Sequence, residues 1–243
     1  MTEENLLNID SKFNFACHEG LDCFKQCCRN INIFLSPFDV LRMKNKLGIK
    51  SQEFLDRYTL RLSAQNQGFP LVLIKMKEDE NLVCPFITSY GCIVYQDRPW
   101  ACRMAPVDML GNGQFGFIFE PSRCHGLNED KEQTVEEWMQ DQGLGIYDEM
   151  EEYFKDLPAV IKFSGQSEQD RKINELIYLV CYNTDKFKDV VFDAGFAEKL
   201  AVSQDVVEKI KADDIELMKF GFHWLGSVLS DTEKQKEALE YLK

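Results

Sequence analysis

Cys17-His-Glu-Gly-Leu-Asp-Cys23-Phe-Lys-Gln-Cys27-Cys28 places four cysteines in twelve residues. Four more follow at Cys84, Cys92, Cys102 and Cys124, and the ninth, Cys181, lies alone in an apolar helical pattern. Two explanations compete for such a run, disulfides and metal. Disulfides staple small secreted chains that cannot build a core. With 243 residues, 44% of them hydrophobic, this chain has the material for a full core. Its opening Met1-Thr-Glu-Glu-Asn is acidic and lacks the basic flank and apolar run of a signal peptide. No stretch approaches the roughly 18 apolar residues of a membrane span. The expectation is a cytoplasmic protein with reduced thiols, in which clustered cysteines serve as ligands.

A soft ion needs several thiolates converging on one point. The turn Cys23-x-x-x-Cys27-Cys28 supplies three of them at short range. Adjacent cysteines rarely point the same way, so Cys27 and Cys28 are expected to serve different metals or different edges of one cluster. Eight cysteines fit two four-thiolate sites, or one site with spares. A four-thiolate zinc site and an oxidised [4Fe–4S] cluster on four cysteines both carry a double negative charge, which calls for nearby donors and cations. Lys25, Arg29, Arg103 and Arg123 stand one or two positions from these cysteines, and Arg98 and Arg103 are the expected charge partners. His18 and His125, beside Cys17 and Cys124, are alternative imidazole ligands for a three-cysteine, one-histidine site. The competing reading is that they are ordinary neighbouring or surface histidines. Cys181 reads as a buried free thiol.

The run Cys-x5-Cys-x3-Cys-Cys is joined by Cys84-Pro-Phe-Ile, Gly91-Cys92-Ile-Val-Tyr95 and Arg98-Pro99-Trp-Ala-Cys102-Arg103-Met-Ala-Pro106. Together these resemble the YkgJ-type cysteine-cluster family of zinc- or iron-chelating domains, over roughly residues 13–126. The resemblance implies metal chelation, with Cys17, Cys23, Cys27, Cys28, Cys84, Cys92, Cys102 and Cys124 as ligands. The first spacing is wider here than in the commonest form of the family, with five residues, His18 to Asp22, between the first two cysteines. The flagellin lysine-methylating enzymes look like distant relatives with a similar cysteine pattern. The family has no settled activity, so three roles are weighed: an iron–sulfur protein, redox or enzymatic, with [4Fe–4S] favoured; a structural zinc module that mediates a protein interaction; and a protein-modifying enzyme.

Outward from the cysteines, the chain reads as α+β: a small loop-rich cysteine-cluster domain over residues 1–128, then an acidic, mainly helical region over 129–243. Phe13 and Phe15 alternate with polar residues as in a short strand. Ser36-Pro37-Phe-Asp39 is a helix start, with a hydroxyl cap, Pro at the first position and an acid in the first turn. That helix stops at Gly48, and a second opens at Ser51. Leu71–Met76 reads as a strand, Leu82–Pro85 as its return, and Arg98-Pro99 as the start of a short helix carrying Cys102. Gly111-Asn-Gly is a hairpin turn before a strand at Phe115–Phe119. The lysines at 44 and 46 and the arginines at 57 and 61 read as a solvated face. Thr134-Val-Glu-Glu137 is a capping box, and helices are expected from there to Leu157, over Glu168–Tyr182, from Ser203, over Asp213–Leu229 and over Asp231–Leu242.

Residues 1–128 carry 14 basic and 14 acidic side chains and residues 129–243 carry 14 and 27, so the net charge of −13 resides in the second part. Such acidity without a basic stripe excludes a nucleic-acid platform. It would suit a basic protein partner, although a solubilising surface is the simpler reading. Gly111-x-Gly113-x-x-Gly116 matches a dinucleotide fingerprint only formally, because it leads into a strand rather than a helix.

Overall fold

The computed structural model describes residues 6–62, 69–161, 167–193 and 202–239. These residues group into two compact units, each built from two separate stretches of chain. One comprises Met1–Phe34 with Ile74–Asp148, the other Leu35–Leu73 with Glu149–Lys243. Compactness therefore divides the chain differently from charge, which changes near residue 128. The architecture is α+β, with short strands in small sheets and helices dominating the C-terminal part.

In the first unit the strand Lys12–Asn14 pairs antiparallel with Glu132–Thr134, with Phe13 opposite Gln133. Alternation buries Phe13 and exposes its neighbours, and Phe13 meets Phe117 edge-on at 5.8 Å. Phe15 packs on Trp138 at 5.1 Å. The strand Glu132–Thr134 runs straight into the helix Val135–Asp141. Thr134 caps it: its hydroxyl accepts from the Glu137 N–H at 3.1 Å, while the Glu137 carboxylate accepts from the Thr134 N–H at 2.8 Å. The expected hairpin joins Val107–Gly111 to Gln114–Phe117. Its tip turns through Gly111, Asn112 and Gly113, all with positive φ, and glycine adopts that conformation without steric cost.

The second unit is a helical assembly with one three-stranded sheet, ordered Phe34–Leu35, Leu71–Ile74, Thr59–Leu62. The helix Pro37–Leu47 starts at a capping box on Ser36 and Asp39 and ends at Gly48, left-handed at φ 66. Ile173, Leu176, Ile177 and Val180 form the buried stripe of the helix Ser167–Tyr182. Gly221, in the helix Asp214–Leu229, lets that helix approach closely: a Cβ there would lie 2.9 Å from both Phe187 and Val180.

Several expectations are corrected. Lys44 is not on a solvated face: only 4% of it is exposed. Its ammonium lies 3.1 Å from Asp185 and 3.3 Å from Asp214. Lys188 also pairs with Asp214, at 2.8 Å. The helix expected to reach Leu157 stops at Phe154, and Pro158 sits in the first turn of a separate one, Leu157–Val160, where its missing N–H costs nothing. A helix at Thr184–Asp193 was not expected. It starts directly after Tyr182, with only Asn183 between, so its periodicity merges with that of the preceding helix. The last expected helix is described over Thr232–Leu239, and residues 240–242 lie outside the described residues.

Candidate metal centre

All eight clustered cysteines belong to the first unit, and Cys181 to the second, fully buried in its apolar interior. All nine are free thiols. Three local constructions position these cysteines.

The first is a crossing of the unit's two ends. The Ala16 N–H donates to the Gly126 carbonyl at 3.1 Å, and the His125 N–H donates to Cys23 Sγ at 3.3 Å. Cys17, Cys23 and Cys124 therefore lie around one crossing. Only glycine fits at residue 126, because a Cβ would lie 2.6 Å from the Ala16 carbonyl oxygen and 2.8 Å from the Phe15 ring.

The second is the 3-10 turn Gln26–Cys28, entered through Lys25 in the left-handed region at φ 70. It sets Cys27 Sγ 3.9 Å from Cys28 Sγ. The third laces this turn to the next cysteine stretch. The Cys84 N–H donates to the Cys28 carbonyl at 2.9 Å, and Val83 bridges both Arg29 and Lys77. Leu82–Pro85 thus forms isolated bridges and a turn rather than the expected return strand, since Asn81 and Leu82 both take positive φ. The paired strands Ile87–Thr88 and Gly91–Cys92 put Cys92 opposite Ile87, and the Ile87 N–H reaches back to the Cys84 carbonyl at 3.2 Å. Cys102 rides on the helix Trp100–Met104, as expected.

The thiols feel one another. Burial pushes Cys17 up to about 11, and Cys27, Cys124 and Cys23 add to the rise. Burial also raises Cys124, with Cys23 and Cys27 contributing. Cys84 is pushed up to about 11 by burial, with Cys92 and Cys27 adding and Lys77 opposing. The Cys27 and Cys28 sulfurs share a hydrogen bond in which either thiol can donate, and it holds Cys27 down to about 7, helped by Arg123. The same hydrogen bond raises Cys28 strongly, with burial, Cys102 and Cys84 adding. A thiol that resists ionisation alone ionises on binding a soft cation, releasing its proton to solvent, because the metal's charge stabilises the thiolate; of the eight, only Cys84 is buried outright.

The two expected charge partners prove different in kind. Arg98 is 8% exposed and lies 4.0 Å from the Tyr95 ring centroid. It donates to the Tyr95 carbonyl at 2.6 Å and to the Gln142 side chain. Burial works against its charge, while Cys102 and Cys92 lie close enough to favour it. Arg103 spends its donors on backbone carbonyls: Arg98 at 3.0 Å, Gln142 at 2.7 Å, and Gln96. It ties the cysteine loop to the end of the helix Val135–Asp141. Neither histidine stands as an obvious ligand. The Gly20 N–H donates to His18 Nδ1 at 3.2 Å, so Nε2 carries the proton and donates to Glu129 at 3.3 Å. His125 contributes its backbone N–H to Cys23.

Among the described residues, no three His, Cys, Asp or Glu side chains are gathered tightly enough to grip an ion as they stand. The donor set nevertheless fits a thiophilic metal: eight thiols in one small unit, with N–H donors and arginines beside them. Gly126, Glu129 and Gln142 were not legible in the sequence. Each acts through a partner more than 35 residues away, at no recognisable spacing.

No helix among the described residues is long and apolar enough to cross a membrane. No curated protein and no solved structure matches the chain. The model of the CxxCxxCC family, described as "Putative zinc- or iron-chelating domain", matches residues 16–137. That is half of the 243 residues and takes in all eight clustered cysteines. By its cysteine pattern and by this match, the chain belongs to the CxxCxxCC family of metal-chelating domains.

Proposed function

We propose that this is an iron–sulfur protein, holding [4Fe–4S] chemistry through thiolates drawn from Cys17, Cys23, Cys27, Cys28, Cys84, Cys92, Cys102 and Cys124. The observation that carries the reading is the assembly of eight thiols from three distant stretches into one unit, with the ninth cysteine left in the other. Two further features support it. A backbone N–H donates to Cys23 Sγ, and Arg98 and Arg123 lie beside cysteines of the group. Hydrogen bonds to sulfur and nearby charge are the levers by which a protein sets a cluster's potential. Cys84-Pro85 supplies the Cys-Pro unit common in such ligation. When bound, the cluster would supply one-electron chemistry; the chain's part is to hold the thiolates, offset their charge and shield Cys84, which is 6% exposed. Anaerobically purified protein should be brown and contain iron and acid-labile sulfide. Colourless protein with stoichiometric zinc refutes the reading.

A second reading, a structural zinc module with a protein partner, is favoured by the scarcity of regular structure around the cysteines. The strands of the first unit run from two to five residues, too short to hold themselves without a staple. In that case chelation unfolds the first unit and removes no activity. A chain that stays folded after complete metal removal contradicts it.

A further inference from the structure

We propose that a cleft in the helical unit, with Gly226 in its lining, is a binding site for a small primary amine with an apolar body. The site does not depend on the metal-binding reading. Its lining residues come from the stretches 152–160 and 222–226, all in the second unit.

The cleft measures about 360 Å³. That is at the low end of ligand pockets, about 300–1,000 Å³, and suits a small molecule. Gly226 keeps it open. This residue stands inside the helix Asp214–Leu229, where glycine is less stable than alanine. Gly221, earlier in the same helix, is required by close packing on Phe187 and Val180. Gly226 is not. The nearest atom to an added Cβ would be Leu157 Cδ2 at 3.6 Å, an ordinary contact, and its φ is not left-handed. Neither packing nor backbone conformation calls for glycine there. What the missing side chain leaves is room in the cleft.

The lining selects the occupant. Leu157 and Phe222 are 4% and 2% exposed and give an apolar floor. Glu152 and Asp156 are exposed and place carboxylates at the rim. Asp156 does not cap the helix that follows it. Glu152 meets Lys155 at 2.7 Å in an exposed pair, which a competing ammonium displaces at little cost. His223 Nδ1 lies 3.0 Å from the Lys219 carbonyl. A carbonyl only accepts, so Nδ1 carries the proton and the neutral ring keeps an acceptor at Nε2. The neighbouring cation Lys219 is already paired with Glu149 and Glu216. Carboxylates and an acceptor nitrogen over an apolar floor match an ammonium on an apolar body and repel an anion. A metal ion is not matched: among the described residues, no three His, Cys, Asp or Glu side chains are close enough to hold one.

The full chain is titrated with phenethylamine and followed by calorimetry. Saturable binding is expected, with a Kd of about 1 mM or tighter. Phenylpropionate, of similar shape and opposite charge, should bind about tenfold more weakly or worse. Ethylamine, which lacks the apolar body, should not saturate. Gly226→Leu fills the cleft and should abolish phenethylamine binding, whereas Gly226→Ala should raise the melting temperature by roughly 2–4 °C. Glu152→Gln/Asp156→Asn should weaken binding about fivefold. It changes only exposed side chains and decides the matter if Gly226→Leu does not fold. No saturation by phenethylamine, equal binding of phenylpropionate or ethylamine, unchanged affinity in either cleft variant, or a lower melting temperature for Gly226→Ala overturns the proposal.

Discussion

Replacing Gly126 by Ala tests the crossing on which the cysteine arrangement depends. The added Cβ would lie 2.6 Å from the Ala16 carbonyl oxygen, well inside the 3.4 Å at which ordinary contact begins. The obstacle is backbone, and the second contact, at 2.8 Å, is the ring of Phe15, which is 6% exposed and wedged against Trp138. Neither can swing aside, so the two crossing segments must part by most of an ångström. Overpacking of this kind costs about 1–3 kcal/mol. Parting also loosens the Ala16–Gly126 hydrogen bond, adding about 1 kcal/mol. A total near 3 kcal/mol corresponds to a fall in melting temperature of roughly 6–12 °C for a chain of this size. Hydrogen exchange should localise the damage, with the Ala16 amide losing protection while the helix Ser167–Tyr182 keeps it. Metal retention should weaken in parallel, because the proposed ligands Cys17 and Cys124 flank this crossing. Gly145→Ala is the control, because its Cβ meets nothing within 4 Å, and it should be near neutral. If Gly126→Ala melts within about 2 °C of wild type and Ala16 stays protected, the crossing does not depend on glycine and the reasoning fails.

Three other outcomes are expected. Lys44→Met leaves Asp185 and Asp214 short of a buried partner and should destabilise by about 2–3 kcal/mol, below the cost of breaking a fully buried pair because Lys50 and Lys188 remain; urea midpoints unchanged within error would contradict this. Burial works against ionisation of Asp185, but the Ser51 N–H, Lys44 and Lys50 outweigh it and hold its carboxyl down to about 2; this stability is present above the usual carboxylate value of 3.8 and is lost as pH falls through about 2, so an acid titration of wild type should be steeper over that window than one of Asp185→Asn. Arg98→Met should lower metal retention with a smaller loss of fold, whereas Arg103→Ala, which orphans three backbone carbonyls, should cost about 3 kcal/mol whether or not metal is present; equal behaviour of the two variants would erase the distinction drawn between them.

The sequence exposed the parts of this molecule that are local. Capping boxes at Ser36 and Thr134, the glycine-tipped hairpin at residues 111–113 and the apolar stripe of Ser167–Tyr182 are each set by residues within a few positions, and each formed as expected. The cysteine pattern was legible as a family signature, because its spacing lies in the sequence itself. What escaped depends on distant partners. Lys44 looked solvent-facing because Asp185 and Asp214 lie far along the chain. Leu82–Pro85 looked like a strand from its apolar character, but positive φ at Asn81 and Leu82 turns it into a tie between two cysteine stretches. Arg103 looked like a charge partner from its proximity to Cys102, yet its donors go to carbonyls at Gln96, Arg98 and Gln142.

The interleaving of the two units has a practical corollary for anyone cutting this chain. A fragment trimmed to the family match, residues 16–137, would include Leu35–Leu73 but discard the helices that cover it. Lys44 would lose both aspartates, Ser51 would lose Asn183 and Asp185, and Leu35 would lose the Tyr182 hydroxyl. The buried faces of Val40, Leu41, Met43 and Phe54 would open to water, a recipe for aggregation whatever the cysteines hold. During synthesis the same arrangement makes Cys28 wait for Cys84, across a stretch whose own packing is completed only by the C-terminal helices. Closure of the helical unit is therefore a late event on the ribosome, and truncations from the C-terminus should be felt there.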